Sequence, residues 1–72
     1  NVPVESKPDL NGEPDITRAI AQARRALSAN GRVLVRYSGT EPFLRVMIEG
    51  RDTDTVRRWA DKIATCARER LG

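Results

Sequence analysis

The chain has 72 residues, with 13 basic and 10 acidic side chains and a formal net charge of +3 at pH 7. A domain of this size buries only about 60% of the surface of its unfolded chain, so a deep, closed enzyme pocket is not expected. The small positive excess does not by itself indicate binding to nucleic acid.

A single cysteine, Cys66, and the absence of histidine exclude an internal disulfide and the usual zinc-site spacings. We therefore expect a reducing, cytoplasmic setting. No apolar run approaches the roughly 20 residues that span a bilayer, so we expect no membrane partner. The start, Asn1-Val2-Pro3-Val4, lacks an initiator Met and a signal-peptide pattern, which predicts a fragment of a longer protein.

The first predicted element is a short edge strand. Val2 and Val4 alternate around Pro3, and a proline cannot donate to the hydrogen-bond ladder of a central strand. Residues 5–14 combine prolines with Asp, Asn and Gly, a composition that is typical of a surface connection.

A helix is predicted next, with Asp15 as its N-cap and Asn30-Gly31 as its stop. Its apolar stripe is mostly alanine, which allows a close approach to a sheet but contributes little apolar area. The stripe consists of Ile16, Ala19, Ile20, Ala23, Ala26 and Leu27.

Two strands of a hairpin follow, on either side of a Ser-Gly-Thr turn. By alternation, the helix-facing positions are Val33, Val35 and Tyr37, then Leu44, Val46 and Ile48. If Val35 pairs with Val46, Arg36 lies directly opposite Arg45. Two facing arginines repel, so this register calls for an anion between them. A register shifted by two residues would keep the apolar match and separate the arginines.

A second, more amphipathic helix is predicted to begin near Asp52-Thr53, either of which can cap it. Its apolar face consists of Val56, Trp59, Ala60, Ile63, Ala64, Ala67 and Leu71. Trp59 is therefore interpreted as core, and Cys66 as a packing residue beside that face. The order of elements fits an α+β fold, in which both helices pack on one face of a small antiparallel sheet.

The turn between the two hairpin strands groups several donors for an anion. Ser38 and Thr40 offer hydroxyls, Gly39 lets backbone N–H groups point towards one place, and Arg36 and Arg45 offer planar forks that match phosphate oxygens. On composition alone, an ordinary turn is the more frequent explanation, with the hydroxyls bonded to their own backbone and Gly39 at positive φ.

Residues 31–50, in which SGTEP is followed by LRVMIEG, resemble the C-terminal domain of the α-D-phosphohexomutases, especially the bacterial members that act on glucosamine phosphates. The resemblance extends over residues 1–72 and implies one phosphate-binding, TBP-like C-terminal domain of a larger multidomain enzyme. It further implies which residues hold the substrate phosphate that is not transferred: Arg36, Ser38, Gly39, Thr40 and Arg45. Glu41 is a candidate substrate contact, but a carboxylate would repel phosphate, so a contact with a sugar hydroxyl, a salt bridge and simple solvation all stay open for it.

The resemblance implies that the full-length enzyme interconverts glucosamine 6-phosphate and glucosamine 1-phosphate, on the route to cell-wall precursors. Its phosphoserine and its Mg²⁺ would lie in other domains of the same chain. Neither motif occurs here, and Asp52-Thr53-Asp54 lacks a third ligand at suitable spacing. The fragment should therefore contain no catalytic or metal-binding residue of its own, and should bind the phosphosugar without turnover.

Three alternatives remain open at this stage. The chain could be the C-terminal domain of a phosphomannomutase or phosphoglucomutase, since the sugar is recognised elsewhere. It could be a nucleic-acid module, which should expose aromatics on its sheet, where Phe43 is the only candidate. It could also be a protein interaction module, without affinity for phosphosugars.

Overall fold

The computed structural model describes residues 1–27 and 31–72. Its elements, in chain order, are β1 (Val2–Pro3), a 3₁₀ turn (Leu10–Gly12), α1 (Pro14–Leu27), β2 (Arg32–Tyr37), β3 (Phe43–Glu49) and α2 (Thr53–Leu71). The predicted order of strand, helix, strand, strand, helix is confirmed. Neither α-helix within the described ranges combines the length and apolar character needed to cross a membrane.

The strands form one antiparallel sheet in the order β1-β3-β2, with β3 in the centre. Val35 pairs with Val46, and Arg36 pairs with Arg45, so the predicted register is confirmed and the shifted one is wrong. The proline-containing β1 is an edge strand, as predicted, because only the hydrogen bonds on one side of it are used.

Both helices pack on the same face of the sheet, α1 against β2 and α2 against β3 and β1, and they also contact each other. Ala23 and Ala67 are completely buried, which lets the helix backbones approach closely. The largest fully buried side chains are Ile16, Leu44 and Ile63. Because each of these comes from a different element, the core joins both helices to the central strand.

Backbone hydrogen bonds join the first segment of the chain to residues far away in the sequence. The Val4 N–H donates to the Pro42 carbonyl and the Glu5 N–H donates to the Leu71 carbonyl, each at 2.9 Å. The short β1 is therefore held both by its ladder with β3 and by the last turn of α2.

Helix α1 differs from its prediction at its start. The helix begins at Pro14, so Asp15 lies in the first turn and is not the N-cap. A proline suits this position, since the first N–H of a helix has no partner within the helix, and Asp15 remains favourable beside the positive helix end.

Two further predictions for α1 concern its far end. Ala26 is exposed, because at 3.6 residues per turn it lies about 80° from Ile16 around the helix, at the margin of the apolar stripe. The predicted stop at Asn30-Gly31 falls partly on residues 28–30, which lie outside the described residues. At Gly31, a Cβ atom would overlap the side chain of Leu27, so a glycine is required there by close packing.

Helix α2 begins as predicted. The Asp52 carboxylate accepts hydrogen bonds from the Thr55 hydroxyl (2.7 Å) and the Asp54 N–H (3.1 Å). These bonds, that of the Thr55 hydroxyl above all, lower the pKa of Asp52. The buried residues of the helix, Ile63, Ala67 and Leu71, belong to the predicted apolar face.

Trp59 is less buried than predicted. Its ring packs at the margin of the cluster formed by Ala23, Leu27, Val33 and Ile63, and it is only partly buried. The Lys62 ammonium lies 4.8 Å from the ring centroid. A tryptophan so placed contributes less to the core than a fully buried one, because part of its ring stays in water.

The opposite face of the sheet is open. Leu34 and Met47, which pair across β2 and β3, are 45% and 56% exposed. Arg36 and Arg45 are exposed on this same face, since they alternate with the helix-facing valines. The open face therefore carries an apolar pair beside a pair of cations.

Candidate anion-binding site

The candidate site is an open depression of about 450 Å³ where β2 ends and the chain turns back towards β3. The structure brings all the predicted phosphate-binding residues together around it and adds one aromatic residue. The lining consists of Arg36, Tyr37, Ser38, Gly39, Thr40 and Arg45. Glu41 is exposed and is not part of this lining.

The two arginines supply the positive charge of the site. Arg36 and Arg45 lie opposite each other in the β2–β3 register, and both are exposed. Within residues 1–27 and 31–72, the ion pairs are those of Arg70 with Glu13 (3.6 Å) and with Asp15 (3.7 Å). Neither site arginine is thus neutralised by a carboxylate in the described part of the chain. Their forks can accept an anion in a bidentate manner.

Ser38 is fixed by three hydrogen bonds, one of which its carbonyl accepts from the Lys7 ammonium, and its exposed fraction is only 9%. Its N–H donates to the Phe43 carbonyl (2.8 Å), and its hydroxyl oxygen accepts from the Glu41 N–H (3.4 Å). This hydroxyl closes the turn, as the ordinary-turn interpretation expects. A hydroxyl that accepts one bond still has its own proton to donate, so Ser38 can also bind an anion.

Gly39 does not behave as the ordinary-turn interpretation expects. Its φ lies outside the positive range that favours glycine, and a Cβ atom there would meet no atom within 4 Å apart from its immediate chain neighbours. That part of the ordinary-turn interpretation is wrong, because the turn itself does not require a glycine. The open space beside Gly39 leaves its backbone accessible to a close ligand, which is another common reason for a glycine.

The start of the chain supports this site through two contacts that the sequence did not predict. The Tyr37 hydroxyl donates to the Pro8 carbonyl (2.6 Å), and the Lys7 ammonium donates to the Ser38 carbonyl (2.9 Å). Burial, with nearby carboxylates, raises the pKa of Tyr37, so its phenol remains a neutral donor. No local pattern marks a contact between residues 31 positions apart.

The residues that line the depression are suited to binding an anion. It offers guanidinium, hydroxyl and backbone N–H donors, and no carboxylate or imidazole that could transfer a proton. Among the residues that the structure describes, no group of three or more His, Cys, Asp and Glu side chains could hold a metal ion. Cys66 lies elsewhere, on α2, and burial, with the charges of Asp15 and Glu69, raises the pKa of its thiol.

Comparison with known proteins agrees with the predicted resemblance. Residues 1–65 match the family model described as phosphoglucomutase/phosphomannomutase, C-terminal domain. The phosphoglucosamine mutase of Geobacter sp. (strain M21) is 44% identical over 72 residues, which cover 100% of this chain and 16% of that protein. The phosphoglucosamine mutase of Thiobacillus denitrificans is 50% identical over 68 residues, covering 94% of this chain and 15% of the relative.

A third relative, the phosphoglucosamine mutase of Halorhodospira halophila, is 52% identical over 64 residues, covering 89% of this chain and 14% of the relative. The chain thus spans about a sixth of the length of the relatives that it matches. Since the family model covers nearly all of its residues and the α+β fold is the one expected, the chain belongs to the family of phosphoglucomutase/phosphomannomutase C-terminal domains.

Proposed function

We propose that this chain is the substrate-phosphate-binding domain of a phosphoglucosamine mutase, which interconverts glucosamine 6-phosphate and glucosamine 1-phosphate. The observation that carries the proposal is the convergence of the Arg36, Arg45, Ser38, Gly39 and Thr40 donors on one depression. The names of the relatives favour glucosamine over mannose or glucose as the sugar.

In this proposal, the domain orients the substrate and does not transform it. A phosphate dianion between Arg36 and Arg45 would remove their repulsion and accept charge-assisted hydrogen bonds from both. Holding the phosphate that is not transferred would place the other end of the sugar at the reacting centre, which lowers the entropic part of the barrier. The same contacts would serve both orientations of the phosphosugar, because they recognise the phosphate group and not the sugar ring.

The transfer itself would then depend on other parts of a longer protein. The phosphoserine and the Mg²⁺ ion that the family resemblance implies would lie outside these 72 residues. A cytoplasmic setting, expected from the single Cys66, stays a prediction.

The open sheet face offers little to a nucleic-acid-binding alternative. Phe43, the one candidate for base stacking, is only partly exposed, and the exposed pair on this face is Leu34 with Met47. Single-strand binders of this type stack bases on exposed aromatics, and the described part of the sheet does not present such a platform.

An NMR titration of the chain with glucosamine 6-phosphate tests the proposal. We expect the amides of Ser38, Gly39 and Thr40 to shift together, and inorganic phosphate to compete, whereas glucosamine alone should cause no shift. Arg36→Ala should abolish the response, and Arg57→Ala, which removes an exposed arginine of α2, should preserve it. Unchanged amides at high millimolar glucosamine 6-phosphate would count against the proposal.

A further inference from the structure

We propose that Lys7 is a positioning residue of the anion-binding site: its ammonium fixes the Ser38–Gly39 peptide so that the Gly39 N–H faces the anion. The inference rests on the proposed function of the site. It assigns a role to a residue of the N-terminal connection that the family motif does not include.

The central contact is the hydrogen bond from the Lys7 ammonium to the Ser38 carbonyl, at 2.9 Å. In a trans peptide, the carbonyl and the following N–H point in opposite directions. Holding the Ser38 carbonyl towards Lys7 therefore turns the Gly39 N–H away from Lys7. Because the Ser38 N–H is also bonded, to the Phe43 carbonyl at 2.8 Å, the chain is fixed on both sides of this residue.

Lys7 acts on the site through Ser38 and does not contact the anion directly. It does not line the depression that holds the two site arginines. It lines a neighbouring depression, which shares Arg36 and Tyr37 with the first. A lysine in this second depression can hold the peptide from one side while the first depression stays open to a ligand.

The backbone of Lys7 is held near the end of β2 by the next residue. The Pro8 carbonyl accepts the 2.6 Å hydrogen bond from the Tyr37 hydroxyl, and the proline ring fixes one backbone angle. The following Asp9 carboxylate accepts from the Asn11 N–H (3.0 Å), which orders the short 3₁₀ turn. An exposed lysine usually loses much entropy when it binds, and this anchoring reduces the part of that loss that comes from the backbone.

The charge of Lys7 also strengthens the donor that it aims. An ammonium on a carbonyl oxygen polarises the whole peptide, and hydrogen bonds in a chain reinforce one another. The Gly39 N–H therefore becomes a better donor to an anion. A peptide that Lys7 did not hold could rotate, and would have to be ordered by the ligand at a cost in affinity.

The chain supplies a matched control, because Lys7 and Lys62 are its two lysines. Lys62 lies on α2, beside the Trp59 ring, and does not line the depression. Inorganic phosphate is titrated into the wild-type chain, Lys7→Met, Lys7→Arg and Lys62→Met, and the Gly39 amide resonance of the free chain is recorded in each.

We expect Lys7→Met to weaken phosphate binding by about three- to tenfold, the range of one lost hydrogen bond, and to move the Gly39 amide resonance of the free chain. Lys7→Arg should keep most of the wild-type phosphate affinity and a Gly39 resonance close to that of the wild type. Lys62→Met should change neither the affinity nor the resonance. The melting temperature of Lys7→Met should match that of the wild type, since Lys7 is exposed.

The outcomes separate this inference from the proposed function. If the wild-type chain binds phosphate and Lys7→Met binds it equally well, only the role of Lys7 is overturned. An equal loss in Lys62→Met also overturns it, since net charge would then explain the effect. If the wild-type chain does not respond to phosphate, the proposed function fails and the positioning role fails with it.

Discussion

Arg36 lies directly opposite Arg45 across β2 and β3, on the face of the sheet that the helices leave open. Like charges in this position destabilise a strand pair. The two arginines therefore make the strand pair less favourable than a neutral pair would, and an anion that binds both side chains relieves that repulsion in addition to forming its hydrogen bonds.

Replacing Arg36 should separate binding from stability. Under the proposed function, Arg36→Ala removes a charge-assisted contact worth about 1.5 to 3 kcal/mol, so the catalytic efficiency of the proposed full-length mutase should fall by about one to two orders of magnitude. The free energy of unfolding without ligand should stay the same or increase, because the repulsion with Arg45 disappears. Denaturant unfolding and a kinetic assay measure the two effects, with Arg57→Ala as the control. A marked loss of stability would show that Arg36 supports the fold.

Gly39→Ala should affect the site and leave the fold intact. A Cβ atom at Gly39 meets no neighbour, and the φ of this residue is not in the glycine range. The substitution should therefore maintain or slightly raise the melting temperature, by reducing the freedom of the unfolded chain. The affinity for phosphate should fall, since the new methyl group occupies space beside the backbone donors.

A matched pair of measurements checks this prediction for Gly39. Gly31→Ala, where the added Cβ overlaps Leu27, should lower the melting temperature clearly. If Gly39→Ala bound phosphate as well as the wild type, the open space beside Gly39 would not be the place of the ligand.

The two large apolar side chains Leu44 and Trp59 should differ in their importance for stability. Leu44 is fully buried in the central strand, so Leu44→Ala should cost about 2 to 5 kcal/mol, enough to unfold much of a small domain. Trp59 is only partly buried, and Trp59→Ala should cost less than Leu44→Ala. Urea unfolding of both variants decides the order. A larger loss of stability for Trp59→Ala than for Leu44→Ala would support the interpretation of Trp59 as a core residue.

The Asp52 cap should make stability depend on pH in the acid range. Its folded-state pKa is lowered by the Thr55 hydroxyl and the Asp54 N–H, so its contribution is complete above the unfolded-state pKa, which is about 4. The contribution is lost as the pH falls through the lower, folded-state value. Asp52→Asn, which still caps, should flatten this part of the stability profile.

Thr55→Val offers an independent check of the same cause. It removes the hydrogen bond that lowers the pKa of Asp52 most. It should therefore also reduce the dependence of stability on pH below about 4. Thermal melts between neutral and acid pH measure both variants. Profiles that matched the wild type in each would show that other carboxylates govern acid unfolding.

Much of the sheet could be predicted from parity. Once Val35 and Val46 share the helix-covered face, a one-residue shift is excluded, because it would turn every side chain of one strand to the wrong side. Parity left a two-residue shift open, so the juxtaposition of Arg36 with Arg45 belonged to one of two predicted registers, and the structure shows that one. Pro3 likewise fixed β1 at an edge, since a proline lacks the N–H that a central strand needs.

Other features depend on distance through space and could not be obtained from spacing. The partial exposure of Trp59 reflects where α2 crosses the sheet, and periodicity gives only the face of the helix. The start of α1 at Pro14 was missed because an aspartate fits both the N-cap and the first turn of a helix, so Asp15 alone did not fix the first residue. The contact of Lys7 with Ser38 joins segments 31 residues apart, for which one sequence contains no signal.

The hydrogen bond from the Glu5 N–H to the Leu71 carbonyl links nearly the two ends of the chain. The segment that contains β1 therefore completes its hydrogen bonds only after the last turn of α2 has formed. The β2–β3 hairpin can form earlier, because its contacts are local. Until β1 docks, the edge of β3 that β1 covers is unpaired, and we expect this edge to be open to pairing with another strand.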